Sequence, residues 1–273
     1  MKATIFILAV SLLLPLASSA QLLSPNPAGV SLGPLHTTVR DVEATKNFWI
    51  LLGATPIKID GSDAMKVSGS LIFLAPGSPP EGGNRGTTME HLGVTVRNGA
   101  DVIAKLKAAG VKVALREGRT PYSVNIATPD GLGIEMESAE EESAGTPPAI
   151  TVDHLHYRVP EAVRPEVQAW YVNLFGAKPL SENNRGQTLA GDIPGTRLRF
   201  SVSRETPTAT KGKALDRIGF EVKNLEALCK KLETAGVKFI QPFSKTRHQS
   251  YASAEIADPW GTHIELTEGL NKF

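Results

Sequence analysis

Residues 98–113, NGADVIAKLKAAGVKV, and residues 224–239, NLEALCKKLETAGVKF, align without a gap. Val102 and Leu228, Leu106 and Leu232, and Ala109 and Ala235 fall at matching positions on one helical face. Both segments end in Ala-Gly-Val-Lys, with Gly110 and Gly236 placed where a left-handed residue closes a helix at little cost. Working outward, each helix follows an alternating strand, 91–96 (HLGVTV) and 217–222 (RIGFEV). Each is followed downstream by a turn and a further strand, 128–136 (TPDGLGIEM) and 258–266 (DPWGTHIEL). Pro and Gly mark the turn, and alternation marks the strand.

Two weaker copies precede these. Residues 35–57 (LHTTVRDVEATKNFWILLGATPI) and 153–180 (DHLHYRVPEAVRPEVQAWYVNLFGAKPL) each read as strand, helix and Gly-Ala turn. Gly53, Gly110, Gly176 and Gly236 therefore close four helices at intervals of about 60 residues, a period that marks repeated structural units. The expected fold class is α+β, with four βαβββ modules arranged as two paired, cup-shaped domains. The acidic, Pro/Gly-containing stretch 139–149 reads as a linker, separating a first domain at 31–138 from a second at 150–268. A loop at 75–86, rich in Gly and Pro, joins the first two modules and reads as mobile. Trp49, Trp170, Tyr171 and Phe175 read as core.

The first twenty residues stand apart. Lys2, the apolar run 5–16 and the small residues of 17–20 (ASSA) have the form of a cleavable export signal. The apolar run is too short to cross a bilayer that needs roughly 20 residues. Residues 1–20 are thus expected to direct export to the periplasm or medium, leaving a short N-terminal segment at 21–30 and no membrane association after cleavage. The composition is that of a globular protein, 41% hydrophobic and 21% charged with formal net charge +1. No Lys/Arg cluster interleaves with aromatics, which argues against nucleic acid as a partner. Cys229 is the only cysteine, so no internal disulfide is available; its place on the helix face beside Leu225, Leu228 and Leu232 reads as a small buried residue.

The module starts 91–96 and 153–159 (DHLHYRV), with the Pro-Asp-Gly and Pro-Trp-Gly turns before Ile-Glu135 and Ile-Glu265, resemble the vicinal oxygen chelate superfamily. Glyoxalase I, extradiol dioxygenases and bleomycin-resistance binding proteins belong to it. The resemblance implies paired modules whose sheets curl into open cups, with metal ligands on the first and last strands of each module. Onto that pattern His91 falls before Asn98 and His154 before Glu161, while Pro34 and Arg217 occupy the matching places in the other two modules. The last-strand ligand falls at Glu135 and Glu265. His36 and His156 lie two residues on from Pro34 and His154, on the same strand face but about 6–7 Å along it.

Taking neighbouring modules as pairs, the resemblance implies a first site of His36, His91 and Glu135 and a second of His154, His156 and Glu265, with His263 on the same strand face as Glu265. Two imidazoles and a carboxylate suit one divalent metal, Fe(II), Mn or Zn. The implied activity is a metal-dependent enzyme, lyase, isomerase or ring-cleaving dioxygenase in type, acting on a small molecule with vicinal oxygens. Glu135 is then the candidate proton carrier. Export would separate the protein from glutathione, against a glyoxalase reaction in its usual form. The alternative is a metal-free protein that sequesters a small molecule in its cup. The first pair of modules favours that reading, because its first last-strand position (in 70–74) carries no ligand.

Overall fold

The computed structural model describes residues 22–139, 148–183 and 187–273. Residues 1–20, expected to be an export signal, and most of the expected linker lie outside the described residues. After a short strand β1 (Val30–Leu32), the first module runs β2 (Pro34–Val39), α1 (Val42–Leu51), β3 (Thr55–Ile59), β4 (Ser62–Val67) and β5 (Ser70–Pro76). The second is β6 (Met89–Val96), α2 (Gly99–Ala108), β7 (Ala114–Leu115), β8 (Val124–Ala127) and β9 (Gly133–Ser138). The third is β10 (Ile150–Val159), α3 (Arg164–Phe175), β11 (Lys178–Asn183), β12 (Gln187–Ile193) and β13 (Thr196–Val202). The fourth is β14 (Leu215–Val222), α4 (Leu225–Thr234), β15 (Phe239–Ser244), β16 (Ala252–Ala257) and β17 (His263–Glu268). All four helix-ending glycines, Gly53, Gly110, Gly176 and Gly236, have positive φ.

The modules form two mixed sheets, as an α+β chain of paired modules requires, but the partners are not sequence neighbours within each half. One sheet runs β15-β16-β17-β14-β2-β5-β4-β3 and joins module four to module one; the other runs β11-β12-β13-β10-β6-β9-β8-β7 and joins three to two. The expected pairing of one with two and three with four is thereby corrected. The reason lies in the first strands. β6 and β10 run antiparallel with Val96 opposite Ile150, Val94 opposite Val152 and Leu92 opposite Leu155, so buried apolar residues face each other along the seam. β1 sets Val30 and Leu32 against Val222 and Phe220 of β14, and thereby holds the start of module one to module four.

The larger of two apolar clusters among the described residues spans both sheets. Tyr171 on α3 makes ring contacts with Tyr157 on β10, Phe200 on β13 and Phe220 on β14, crossing from one sheet to the other. Trp49, Tyr171 and Phe175 are fully buried, and Trp170 packs against the same core, as their sequence positions suggest. Cys229 is buried on α4, and burial pushes its thiol up to about 11, the state of an inert structural cysteine.

The inter-module loop is tied down at its C-terminal end. Asn84 is fully buried; its amide donates to the carbonyls of Met89 (3.2 Å) and Leu215 (2.9 Å), and its oxygen accepts from Leu215 N (2.7 Å). Thr87, also fully buried, donates its hydroxyl to the carbonyls of Asn84 and Met89. The loop is therefore pinned to β6 and, through Leu215, to β14 of the other sheet.

Candidate metal centre

In the sheet of modules two and three, antiparallel pairing sets His91 opposite His156 and His154 opposite Gly93. The parallel pairing of β6 with β9 sets Gly93 beside Glu135. The last two steps require a glycine. A Cβ on Gly93 would overlap the His154 imidazole, so the ring crosses the strand only because nothing projects there. A Gly93→Ala protein is expected to lose metal as completely as a His154→Ala protein, read by elemental analysis; full occupancy would show that the ring can yield.

Four side chains converge from these three strands. One nitrogen each of His91, His154 and His156 and one oxygen of Glu135 all lie within 4.8 Å of one another. His91 Nε2 is 3.4 Å from Glu135 Oε1, and His154 Nε2 is 3.6 Å from Glu135 Oε2. The His91 and His156 ring centroids are 4.2 Å apart. His91 Nε2, His154 Nε2 and both His156 ring nitrogens are buried without a hydrogen-bond partner. Buried polar atoms without partners are uncommon, and four lone-pair carriers around one point fit a metal ion well.

The surroundings aim those atoms. Asp153 Oδ2 lies 2.6 Å from His154 Nδ1 and Glu90 Oε2 lies 3.5 Å from His91 Nδ1, leaving each Nε2 directed inward. Glu90 is itself held by Arg158 Nε at 2.8 Å. Hydrogen bonding to His91 holds the Glu90 carboxyl down at about 2 against the opposing effect of burial, with Arg158 adding to the effect. The bond from His154 likewise lowers Asp153. Burial alone would raise Glu135, but the nearby His154 and His91 imidazoles and the charge of Arg116 hold it well below the usual carboxylate range. Arg116 Nη2 reaches Glu135 Oε2 at 2.8 Å, and its Nη1 reaches Glu137 at 2.9 Å. Burial, reinforced by the two neighbouring imidazoles, pushes His156 down to about 2, so it is neutral at any physiological pH.

The structure thus regroups the residues picked out from the sequence. His91 and Glu135 stand together as expected, but their companions are His154 and His156. His36 lies on β2 in the other sheet, beside Glu265. The trio His36, His91 and Glu135 and the trio His154, His156 and Glu265 are both corrected, because ligand sharing follows the strand pairing. Glu90, Asp153 and Arg116 went unremarked in the sequence. An acid immediately before the histidine, in Glu90-His91 and again in Asp153-His154, was the signal available for the first two.

A family model for the Glyoxalase/Bleomycin resistance protein/Dioxygenase superfamily matches residues 31–136 and again 151–266. The chain belongs to that superfamily. Solved structures with the superfamily fold include glyoxalase I from Zea mays, with TM-score 0.67 and 15% identity. That match covers 89% of this chain and 94% of the maize chain. A putative dioxygenase from Bacillus subtilis subsp. subtilis str. 168 aligns with TM-score 0.65 at 13% identity, over 88% of this chain and 85% of that one. At such identities the likeness is one of fold. No curated protein matches the chain in sequence.

The superfamily's second cup, between modules one and four, has the same frame with other chemistry. Gly219 stands where Gly93 does, and its absent Cβ makes room for the backbone and ring of Pro34 in place of a histidine. Arg217 pairs across the seam with His36, as His91 pairs with His156. Glu265, 1% exposed, is met by His36 Nε2, by Arg217 Nε at 3.9 Å and by His248 Nε2 at 3.9 Å. His36 also stacks on Phe73, and His248 stacks on Tyr251 at 4.1 Å. Burial would raise Glu265, but the charge and hydrogen bond of His36, with Arg217, hold it down at about 2. His263 turns away, to Glu255 at 3.0 Å and Asp216 at 3.6 Å. The Arg217 guanidinium and the His36 and His248 imidazoles already stand against Glu265 where a metal would sit.

Proposed function

We propose that His91, His154 and Glu135, with His156 alongside, hold one divalent metal ion, and that the protein is a metal-dependent enzyme acting on a small molecule with two adjacent oxygens. The observation that carries this reading is the set of buried, unpartnered imidazole nitrogens converging on one carboxylate. Fe(II), Mn and Zn all suit that donor set. A divalent ion there supplies Lewis acidity to a chelating oxygen pair. The chain's own residues do the rest. Glu90 and Asp153 fix the ring orientations of His91 and His154. Arg116 occupies Glu135 Oε2 and leaves Oε1 facing His91. Glu135 is a ligand in this reading and no longer the proton carrier suggested by the sequence, since a carboxylate held so firmly ionised is a weak base. A cavity of about 620 Å³ opens beside His91 and Glu135, room enough for a small substrate.

Elemental analysis tests the metal: about one Fe, Mn or Zn per chain is expected, and none after reconstitution would sink the reading. Oxygen uptake during turnover then separates ring-cleaving chemistry, which consumes O₂, from lyase or isomerase chemistry, which does not. The Arg116–Glu135 ion pair favours one second reading, a metal-free cup that binds its ligand unchanged; undiminished ligand binding after chelator treatment would support it. Export, proposed from residues 1–20, predicts that N-terminal sequencing of the mature protein begins at Gln21; retention of Lys2 in that sequence would refute it.

A further inference from the structure

The cavity beside the metal centre contains one charge that no described residue neutralises. Its charged walls are Arg85, Glu90, His91 and Glu135. Glu90 is paired with Arg158, and Glu135 with Arg116 and the imidazoles. Among the described residues Arg85 has no carboxylate partner. A second cavity of about 350 Å³ opens on the other side of Arg85 and Glu90, with Arg158, Arg204 and Glu205 on its walls. Arg85 thus stands between the two spaces.

Its backbone is not free to swing away. Arg85 follows the fully buried Asn84, whose three hydrogen bonds tie it to β6 and β14, and Thr87 closes the loop two residues later. Gly83 packs so closely on the turn before β9 that a Cβ there would run into the Gly131 carbonyl. Arg85 is itself exposed, and a guanidinium without a carboxylate partner on the wall of a ligand cavity is a fork for two oxygens of a planar anion.

We propose that the substrate carries a carboxylate on the side away from its vicinal oxygens, and that Arg85 binds it. The inference rests on the metal-centre reading and adds a specificity-determining residue and a substrate class, an oxygenated carboxylic acid. Glu90 then serves two ends: it orients His91 and, already paired with Arg158, does not compete for Arg85.

The test uses two probes with the same diol and different charge, 3,4-dihydroxybenzoate and 3,4-dihydroxybenzamide, titrated calorimetrically into the zinc-loaded full chain. The carboxylate is expected to bind on the order of tenfold more tightly, the scale of one charge-assisted hydrogen bond. In Arg85→Gln that ratio should fall to about one while amide affinity stays unchanged. No preference in the native protein, a preference that survives Arg85→Gln, or no binding of either probe to zinc-loaded protein would overturn the proposal. Failure of the metal reading shows separately as failure to take up zinc. In that event benzoate against benzamide with the chelator-treated protein, with and without Arg85→Gln, reads the anion site by the same ratio.

Discussion

A His154→Ala protein is expected to bind no stoichiometric metal, whereas His36→Ala retains a full equivalent. The sequence order of the modules predicts the reverse, because it assigns His36 to the site of His91 and Glu135. The structure places His154 Nε2 3.6 Å from Glu135 Oε2, and gives His36 to Glu265 in the other sheet. Removing an outer partner of a metal ligand costs roughly 10–100-fold in affinity, the expectation for Asp153→Asn or Glu90→Gln. Removing the ligand itself should cost more. Inductively coupled plasma analysis of the four variants, with metal-binding isotherms, measures the whole series. Metal lost in His36→Ala and kept in His154→Ala would refute the pairing of modules two and three as the functional unit.

Glu265→Gln is expected to be the most destabilising single substitution of a charged residue in the protein. Glu265 is 1% exposed and stands against His36 Nε2 and Arg217 Nε, so its neutralisation removes the buried carboxylate that these two side chains face. Breaking a buried pair from one side costs about 3–5 kcal/mol. For a chain of this length that corresponds to a fall in Tm on the order of 10 °C. The effect should depend on pH in a definite direction. Glu265 is depressed from 4.5 to about 2 in the fold, so its contribution is fully present above 4.5 and fades as the pH falls towards 2. Urea midpoints of native and Glu265→Gln protein should therefore differ at pH 7 and converge in that acid window. A constant difference from pH 7 to pH 2 would show that Glu265 stabilises by packing and not by charge.

The repeating unit was plain in the sequence because it is local. Helix periodicity, the glycines at 53, 110, 176 and 236, and the Pro-Gly turns each depend on residues a few positions apart. His91, His154 and Glu135 were legible for the same reason, since each sits at a fixed place within its own module. Which modules share a sheet was not legible. That choice is made between strands far apart in the chain, β2 with β14 and β6 with β10, and the connections at 77–88 and 139–149 are too alike in length to decide it. Arg116 illustrates a different limit. It lies just past the short strand β7, and only the β7–β8 pairing brings it to Glu135. Arg217 and Pro34 ran the other way: read as departures from the ligand pattern, they do mark the cup in which an arginine and a proline stand where the other cup has imidazoles.

The nested pairing of one with four around two with three also governs how the chain can come into being. Module one leaves the ribosome first, yet the strand that completes its sheet is in the last module made. Until then the edge of β2 that will receive β14 is bare, a row of unpaired amides and carbonyls open to the wrong neighbour. The middle modules can close on each other much earlier, across a short connection. Synthesis therefore assembles the cup of His91, His154 and Glu135 before the cup of Glu265, and the first quarter of the chain waits, half-sheeted, for the fourth.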